Sequence, residues 1–145
     1  MRAGTTLPEL IVVLAIVGLV TAIAVPSSRD LLASIDTERA ARQLMAAHGI
    51  ARFTAIMQGR TTRLDIAPES LVVRVVNGPT AGVVWRAPGP TADGVALDGP
   101  TYPLVFTAFG LPHGLGNGTY TFSRGSARRS VVISRLGRLR LVRDQ

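Results

Sequence analysis

Residues 4–26 read GTTLPELIVVLAIVGLVTAIAVP. Residues 10–25 carry no charge, and a helix over residues 7–25 would be roughly 28 Å long, close to the hydrocarbon thickness of a bilayer. Glu9 stands just inside the N-terminal end of that helix, where a lone charge costs up to about 2.5–3.5 kcal/mol on insertion. The adjacent residues offer this carboxylate no cation. We therefore expect another chain to supply its partner.

This combination of residues resembles the class III signal of type IV pilins and of the pseudopilins of type II secretion, usually G-F-T-L-x-E-L before an apolar run. The resemblance implies that a prepilin peptidase cuts between Gly4 and Thr5 and methylates the new amine of Thr5. It also implies that Glu9, the fifth residue after the cut, meets the terminal amine of an adjacent subunit in a filament. By the same resemblance, Pro26 kinks the helix. Thr5 departs from the family in replacing the common phenylalanine.

Two other interpretations of this segment stay open at the level of sequence. Ala22-Ile23-Ala24 has the small-x-small form of an ordinary signal-peptide cleavage site, which would make the protein a secreted domain. However, the n-region holds only Arg2 and the terminus, and Glu9 would interrupt the apolar region. A plain membrane anchor is the other interpretation, and it explains neither Gly4 nor Glu9.

Composition restricts the remaining possibilities. The chain has 145 residues, so one small domain follows the apolar segment, and it has no cysteine, which excludes disulfides, thiol nucleophiles and cysteine-ligated zinc. The formal net charge is +7, and all sixteen basic residues are arginine. Seven of these arginines lie from Arg124 onward, where Asp144 is the only acid. The basic character therefore belongs to the C-terminal segment.

A helical pattern continues from Leu31 to about Gly59. Its apolar positions Ala46, Ile50, Phe53 and Met57 recur at spacings of four, three and four, which predicts that this stripe packs against a domain. The less favoured interpretation of the stripe is a surface for a partner helix. His48 beside it is expected to be structural or solvent-facing. Gly59 is expected to end the helix.

Beyond Gly59 the apolar period changes to two, which indicates strands. Residues 87–103 are rich in proline and glycine and are expected to form a long surface connection. The glycine-rich residues 110–118 precede neither a lysine nor a helix, so they match no P-loop or dinucleotide pattern. We predict strands over residues 61–66, 70–76, 83–86, 103–107, 119–123, 130–134 and 138–142.

The last two predicted strands form a hairpin joined by residues 135–137. In the final strand Leu139 and Leu141 share one face, expected to cover the helix, while Arg138 and Arg140 share the other and are expected to face water. The sequence I-S-x-x-G-R-L-R-L here resembles the close of the GspH/FimT branch of minor pseudopilins, in which a G-R-x-R element lies near the C-terminus. Arg138 and Arg140 match the arginines of that element.

With both ends matching, the resemblance implies an α+β, pilin-like fold: a long N-terminal helix packed on a small antiparallel β-sheet domain. We expect a prepilin leader (1–4), a hydrophobic transmembrane and assembly helix (5–27), the amphipathic half of the same helix (28–60) and a globular β-sheet domain with a basic C-terminal hairpin (61–145). The two histidines, His48 and His113, are isolated, and no nucleophile motif is present. We expect no enzyme, no cofactor and no metal site.

Two functions follow from these residues. The first is structural, as a minor pseudopilin in a type II secretion pseudopilus or type IV pilus, processed by prepilin peptidase and held in the bacterial inner membrane with its domain outside the cytoplasm. The second, implied by the FimT side of the resemblance, is the binding of double-stranded DNA for natural transformation through phosphate contacts. The alternative to DNA binding is that exposed strand arginines only protect a sheet edge. The candidate DNA-binding residues are Arg138, Arg140, Arg143, Arg135, Arg128 and Arg129.

Overall fold

The structure, a computed structural model, describes residues 6–76, 78–79, 81–114 and 116–143, and within residues 23–27 only the helical backbone. Within these residues it contains one long helix, α1 (Leu7–Gln58), followed by nine strands and one 3-10 turn, Pro90–Asp93. The strands are β1 (Thr62–Ile66), β2 (Ser70–Val75), β3 (Gly82–Pro88), β4 (Ala96–Asp98), β5 (Leu104–Phe106), β6 (Pro112–His113), β7 (Gly118–Arg124), β8 (Ala127–Ile133) and β9 (Leu139–Arg143).

The chain divides into two compact units, the first ending at Leu32 and the second beginning at Ala33. Within the described residues of the chain, no helix is both long enough and apolar enough to cross a membrane. The second unit holds the second half of α1 together with all nine strands. The expected α+β fold, a helix packed on antiparallel sheets, is therefore confirmed.

The strands form two antiparallel sheets. The five-stranded sheet has the order β3-β2-β1-β5-β6 and the four-stranded sheet the order β4-β7-β8-β9. Each sheet directs alternate apolar side chains at α1, as a half-buried antiparallel sheet does. Leu64 of β1 lies opposite Val73 of β2 and Leu104 of β5. Tyr120 of β7 lies opposite Val131 of β8, and Val131 opposite Leu141 of β9.

The face of α1 that meets the sheets is built mainly of alanine. It is lined by Ala33, Thr37, Ala40, Ala41, Leu44, Ala47, His48, Ala51 and Ala55, all of which are buried. Small side chains let the helix axis approach the sheets closely, while the bulk of the core comes from the strands, chiefly Phe106, Tyr120 and Phe122. The Thr37 hydroxyl donates to the carbonyl of Ala33, so its burial leaves no unpaired donor.

The prediction that Ala46, Ile50, Phe53 and Met57 form the stripe facing the domain is wrong. Ile50 is only half-buried, Ala46 is exposed, and Phe53 and Met57 are 63% and 66% exposed. Phe53 and Met57 each lie two positions from a buried alanine, which at about 100° per residue turns them roughly 200° away from the core. Phe53 and Met57 therefore lie on a face of the helix that the described residues leave largely exposed, whereas Ile50 packs at the edge of the core.

The prediction that Gly59 ends α1 is confirmed, because the last helical residue is Gln58. Gly59 has a φ of +60°, the left-handed conformation that glycine adopts most readily after a helix. The backbone N–H of Arg60 then donates to the carbonyl of Ala55 at 3.0 Å. The buried hydroxyl of Thr62, the first residue of β1, donates to the carbonyl of Ala51 at 2.8 Å and ties the first strand to the helix.

Two short strands were not predicted. β4 lies inside the proline- and glycine-rich residues 87–103, where it pairs with β7, and β6 lies inside the glycine-rich residues 110–118, where it pairs with β5. Each is only two or three residues long, too short to show an alternating pattern, and each exists because a longer strand offers it hydrogen bonds. The remaining predicted strands agree with β1, β2, β3, β5, β7, β8 and β9 to within a few residues.

Candidate functional site

The first unit presents its apolar side chains outward. The large apolar residues of α1 between Leu7 and Val20 are exposed, from 48% for Val13 to 75% for Leu7. The one hydroxyl described in the apolar run, that of Thr21, donates to the carbonyl of Val17 at 2.6 Å and so adds no unpaired donor. Glu9 and Thr21 are the polar side chains within residues 7–22, and the other exposed side chains of this stretch are apolar.

Glu9 lies in the first turn of α1 and is exposed. Its carboxylate accepts a long hydrogen bond, 3.4 Å, from the backbone N–H of Thr6, which is a local contact at the positive end of the helix dipole. Among the residues that the structure describes, no arginine forms an ion pair with it. Gly4 and Thr5, the predicted cleavage and methylation site, lie outside the described residues. Pro26 lies within the helical backbone of α1, and its predicted kink stays a prediction.

The hairpin of β8 and β9 carries the basic C-terminal segment. The N–H of Ser134 donates to the carbonyl of Arg138 at 2.9 Å, and the N–H of Arg138 donates back to Oγ of Ser134 at 3.0 Å, so these residues close the turn. Gly137 is buried with a φ of +73°, and a Cβ placed on it would lie 3.0 Å from Cγ of Pro112. The positive φ therefore favours glycine at this position of the G-R-x-R element, and the close approach to Pro112 adds to that preference.

The alternation of the strands divides the C-terminal arginines into two groups. Arg124, Arg129 and Arg143 lie on the side of the four-stranded sheet that faces α1, and each pairs with an acid of the helix. Arg124 binds Asp36 and donates to the carbonyl of Asp93 at 2.8 Å. Arg124 and Arg129 thereby connect the sheet to the helix, whereas the exposed Arg143 forms a long and weak ion pair.

Arg129 is the most buried of the arginines, with 7% of its surface exposed. Its guanidinium donates to Oγ of Ser34 at 3.1 Å and to the carbonyl of Arg128 at 2.7 Å, and its Nε lies 3.9 Å from Glu38. A guanidinium held in this way is directed at the helix, so it has little surface left for a ligand.

Glu38 collects three guanidinium groups. Arg42 binds it at 2.6 Å from the next turn of α1, and Arg129 and Arg143 each approach within 3.9 Å. The hydrogen bond and charge of Arg42 hold the pKa of the Glu38 carboxyl below its usual value, and Arg129 and Arg143 act in the same direction. Sequence reasoning did not identify Asp36 and Glu38 as partners of the basic segment, although they are the acids of α1 nearest to the domain.

The second group of arginines is directed away from the helix. Arg128 and Arg140 lie on the outer face of the sheet, where Arg140 is opposite Val132, and Arg135 and Arg138 lie in the turn before β9. All four are exposed. Within the described part of the chain, none of their side chains forms an ion pair. The structure thus brings Arg135, Arg138 and Arg140 together at one end of the hairpin, with Arg128 near the other end.

His48 is a core residue. It is 2% exposed, its ring meets Phe106 edge-on at 4.9 Å, and its Nε2 has no hydrogen-bond partner among the described residues. Burial, assisted by the charge of Arg52, lowers the pKa of His48 to about 4. The structural interpretation of His48 is therefore correct, and the solvent-facing one is wrong.

We expect this buried histidine to make stability depend on pH. The pKa of His48 is about 4 in the folded chain and about 6.5 in the unfolded chain, so between these values the unfolded chain binds a proton that the folded chain does not bind. The free energy of unfolding is therefore unaffected by the titration of this histidine above pH 6.5 and decreases as the pH falls towards 4, by about 2–3 kcal/mol at most. Thermal unfolding of His48→Leu between pH 4 and 7 should show a weaker pH dependence than the unsubstituted chain. Substitution of the exposed His113 by glutamine is the control, and parallel curves for His48→Leu would contradict this account.

Comparison with known proteins identifies a family and solved structures that share this architecture. A family model described as Type II transport protein GspH matches residues 40–137, about two thirds of the chain. A search of curated proteins gave no match. Among solved structures, the type IV minor pilin FimU of Pseudomonas aeruginosa is similar, with a TM-score of 0.61, 22% identity, and coverage of 73% of this chain and 87% of that one.

The minor pseudopilin EpsH from the type 2 secretion system of Vibrio cholerae is similar as well. Its TM-score is 0.59 at 15% identity, with coverage of 74% of this chain and 97% of that one. At these identities the two structures establish the shared fold, and the family model covers the second half of α1 and most of the strands. The chain therefore belongs to the GspH family of minor pseudopilins, as the resemblance at its two ends implied.

Proposed function

We propose that the protein is a minor subunit of a type II secretion pseudopilus or a type IV pilus and enters the filament through the first unit of α1. The observation that carries this proposal is the apolar surface of residues 7–22, exposed on every side. In a bilayer that surface contacts lipid, and in a filament it contacts the corresponding helices of other subunits. Assembly exchanges one apolar environment for another, so little hydrophobic energy opposes extraction from the membrane.

Glu9 gives the assembly its register in this proposal. A carboxylate among apolar helices is stabilised only by a charged partner, and the terminal amine of an adjacent subunit, freed by cleavage after Gly4, is a cation at the matching depth. Among the described residues, the contact of Glu9 is the weak hydrogen bond from the N–H of Thr6. The proposed location is the inner membrane, with the second unit on the extracytoplasmic side, and the proposed partners are prepilin peptidase and other pilin-like subunits.

The processing step is tested by determining the mature N-terminus. Mass spectrometry of the chain isolated from cells that contain the peptidase should find N-methylated Thr5 as the first residue. Gly4→Leu should abolish this cleavage, because the peptidase of the family cuts after glycine. A terminus at Val25 would instead identify an ordinary signal peptide, and an intact Met1 would identify a plain anchor.

DNA binding is a second candidate function, and the division of the arginines favours it. Arg135, Arg138 and Arg140 are exposed together on the hairpin, whereas Arg124, Arg129 and Arg143 pair with acids of α1. Arg138 and Arg140 lie two residues apart, about 7 Å along an extended chain, so both can reach the phosphates of one strand. The proposed DNA contact therefore uses fewer residues than the six candidates that the sequence suggests. Arg129 is excluded because it is buried.

This candidate predicts a salt-sensitive affinity for duplex DNA that depends on the hairpin. In detergent, the full chain should lose about tenfold or more in affinity on Arg138→Ala with Arg140→Ala, because each phosphate contact contributes to counterion release. The matched control, Arg39→Ala with Arg86→Ala, removes the same charge from exposed positions elsewhere and should have a smaller effect. Equal losses for both pairs would indicate only a nonspecific charge effect, and no binding at low salt would leave the structural role alone.

A further inference from the structure

Six large apolar side chains of the second unit are exposed close to one another. Phe53, Ile56 and Met57 lie on one face of the last turns of α1, because they are three and four positions apart. Phe109 and Leu111 lie in the loop between β5 and β6, and Leu136 lies in the turn between β8 and β9. We call these the apolar patch. Their exposed fractions run from 48% for Ile56 to 84% for Phe109.

Close backbone contacts bring the three segments of the patch together. A Cβ placed on Gly110 would lie 2.6 Å from Cδ1 of Ile56, so the loop that carries Phe109 and Leu111 rests on the end of α1. The turn that carries Leu136 meets the same loop, because Gly137 packs against Pro112. Gly110 has a φ of +72° and donates its N–H to the carbonyl of Thr107 at 2.8 Å, which shapes the turn that leaves Phe109 at the surface.

The charges beside the patch are of one sign. Arg52, Arg135 and Arg138 stand beside its members in the sequence and are exposed. Residues 39–64 and 99–143, which contain all three segments, include no aspartate or glutamate. Four acids flank these two ranges. Asp65 is paired with Arg63 and Arg74, and Glu38 with Arg42, Arg129 and Arg143, while Asp98 lies in β4 and Asp144 lies outside the described residues. The patch is therefore an apolar centre with a basic rim.

This pattern selects among occupants. Contiguous exposed apolar side chains favour a protein interface over a nucleic-acid one, since interfaces with DNA are more polar and much more positively charged than interfaces between proteins. A second copy that used the same face would bring the arginine rims together, and like charges placed opposite each other disfavour the complex. A different protein whose contact surface has apolar side chains inside an acidic rim would bury the apolar centre of the patch and pair with its arginines.

We infer that the apolar patch docks a second, non-identical pilin-like subunit, whose contact surface has apolar side chains surrounded by aspartate and glutamate. This inference rests on the proposed function, because it takes the partner from the same filament. Phe109 and Met57 are the anchors, since they are the most exposed side chains of the loop and of the helix end. The arginines of the rim select the partner and accelerate encounter.

Pairwise co-expression tests the docking. The full chain is produced with each of the other pilin-like subunits of the same cells, one pair at a time, and complexes are isolated in detergent. One subunit is expected to co-purify, and Met57→Glu with Phe109→Glu should weaken that complex by about tenfold or more, as truncation of interface anchors does. The control, Val76→Glu with Val83→Glu, places the same charges on exposed valines outside the patch and should leave the complex intact.

A charge exchange tests the rim. Arg135→Glu with Arg138→Glu should weaken the same complex, and replacing acids of the partner's contact surface by arginine should restore it. Unchanged binding of the Met57 and Phe109 variant, or a charge exchange without rescue, would overturn the inference. The inference would also be overturned if this chain formed a concentration-dependent dimer that the Met57 and Phe109 variant abolishes, because the occupant would then be a second copy. It would likewise be overturned if the variant lost DNA binding while every protein complex stayed intact.

The two proposals can fail separately. Docking through the patch needs no membrane assembly, so Glu9→Ala should leave the pairwise complex unchanged while it removes the chain from filaments. If Glu9→Ala behaves in this way but the patch variant binds normally, only the docking inference fails. If the pairwise complex forms through the patch but the chain never enters a filament, the proposed function fails.

Discussion

Replacing Glu9 with alanine should remove the protein from filaments while its domain still folds. In the assembled bundle this carboxylate is proposed to neutralise the terminal amine of an adjacent subunit. Deleting it leaves that amine buried without a partner, which costs about 3–5 kcal/mol. Since 1.4 kcal/mol is a factor of ten, incorporation should fall by roughly two to three orders of magnitude.

The structure explains why folding should be spared. Glu9 belongs to the first unit, and its one described contact is the 3.4 Å hydrogen bond from the N–H of Thr6. The measurement is the fraction of chain recovered in sheared filaments, together with the thermal unfolding curve of the same variant. Glu69→Ala removes an exposed acid from the turn between β1 and β2 and should incorporate normally. Normal recovery of Glu9→Ala in filaments would defeat this account.

Truncating Leu44 should destabilise the domain strongly, whereas truncating Phe53, a larger side chain, should not. Leu44 is completely buried in the core between α1 and the sheets, so Leu44→Ala loses its transfer free energy and leaves a cavity, at a cost of about 2–5 kcal/mol. Phe53 is 63% exposed, so Phe53→Ala should change the free energy of unfolding by about 0.5 kcal/mol or less.

Chemical denaturation of both variants measures the difference directly. The two substitutions share one helix, and the sequence pattern alone predicts the opposite order, with Phe53 in the stripe that faces the domain. A loss for Phe53→Ala as large as that for Leu44→Ala would mean that the apolar stripe, and not the alanine face, packs on the sheets. The same result would also remove the apolar patch as a free docking surface.

Several parts of this fold could be predicted because the signals are local. The end of α1 follows from the conformational freedom of Gly59, and the hairpin of β8 and β9 follows from alternation around Gly137. Alternation also separates Leu139 and Leu141, which pack on the core, from Arg140 on the outer face. Family membership could be predicted from the sequence motifs at the two ends of the chain, and the match to the GspH family confirms it.

Other features required long-range contacts. The buried face of α1 is made of alanine, whose weak apolar signal is masked by Ile50, Phe53 and Met57 on neighbouring faces, so periodicity selected the wrong stripe. The short strands β4 and β6 depend on the hydrogen bonds of β7 and β5. The pairing of Asp36 and Glu38 with arginines about ninety residues away depends on how the sheet lies against the helix.

By itself, the sequence determined the class of protein, the apolar N-terminal segment with Glu9 near its start and the basic hairpin, because each is a property of consecutive residues. Only the tertiary structure decided which arginines remain available and which apolar side chains stay exposed. Exposure depends on what the rest of the chain covers: the sheets cover an alanine face, the acids of α1 engage Arg124, Arg129 and Arg143, and Phe53, Met57 and Phe109 are left at the surface.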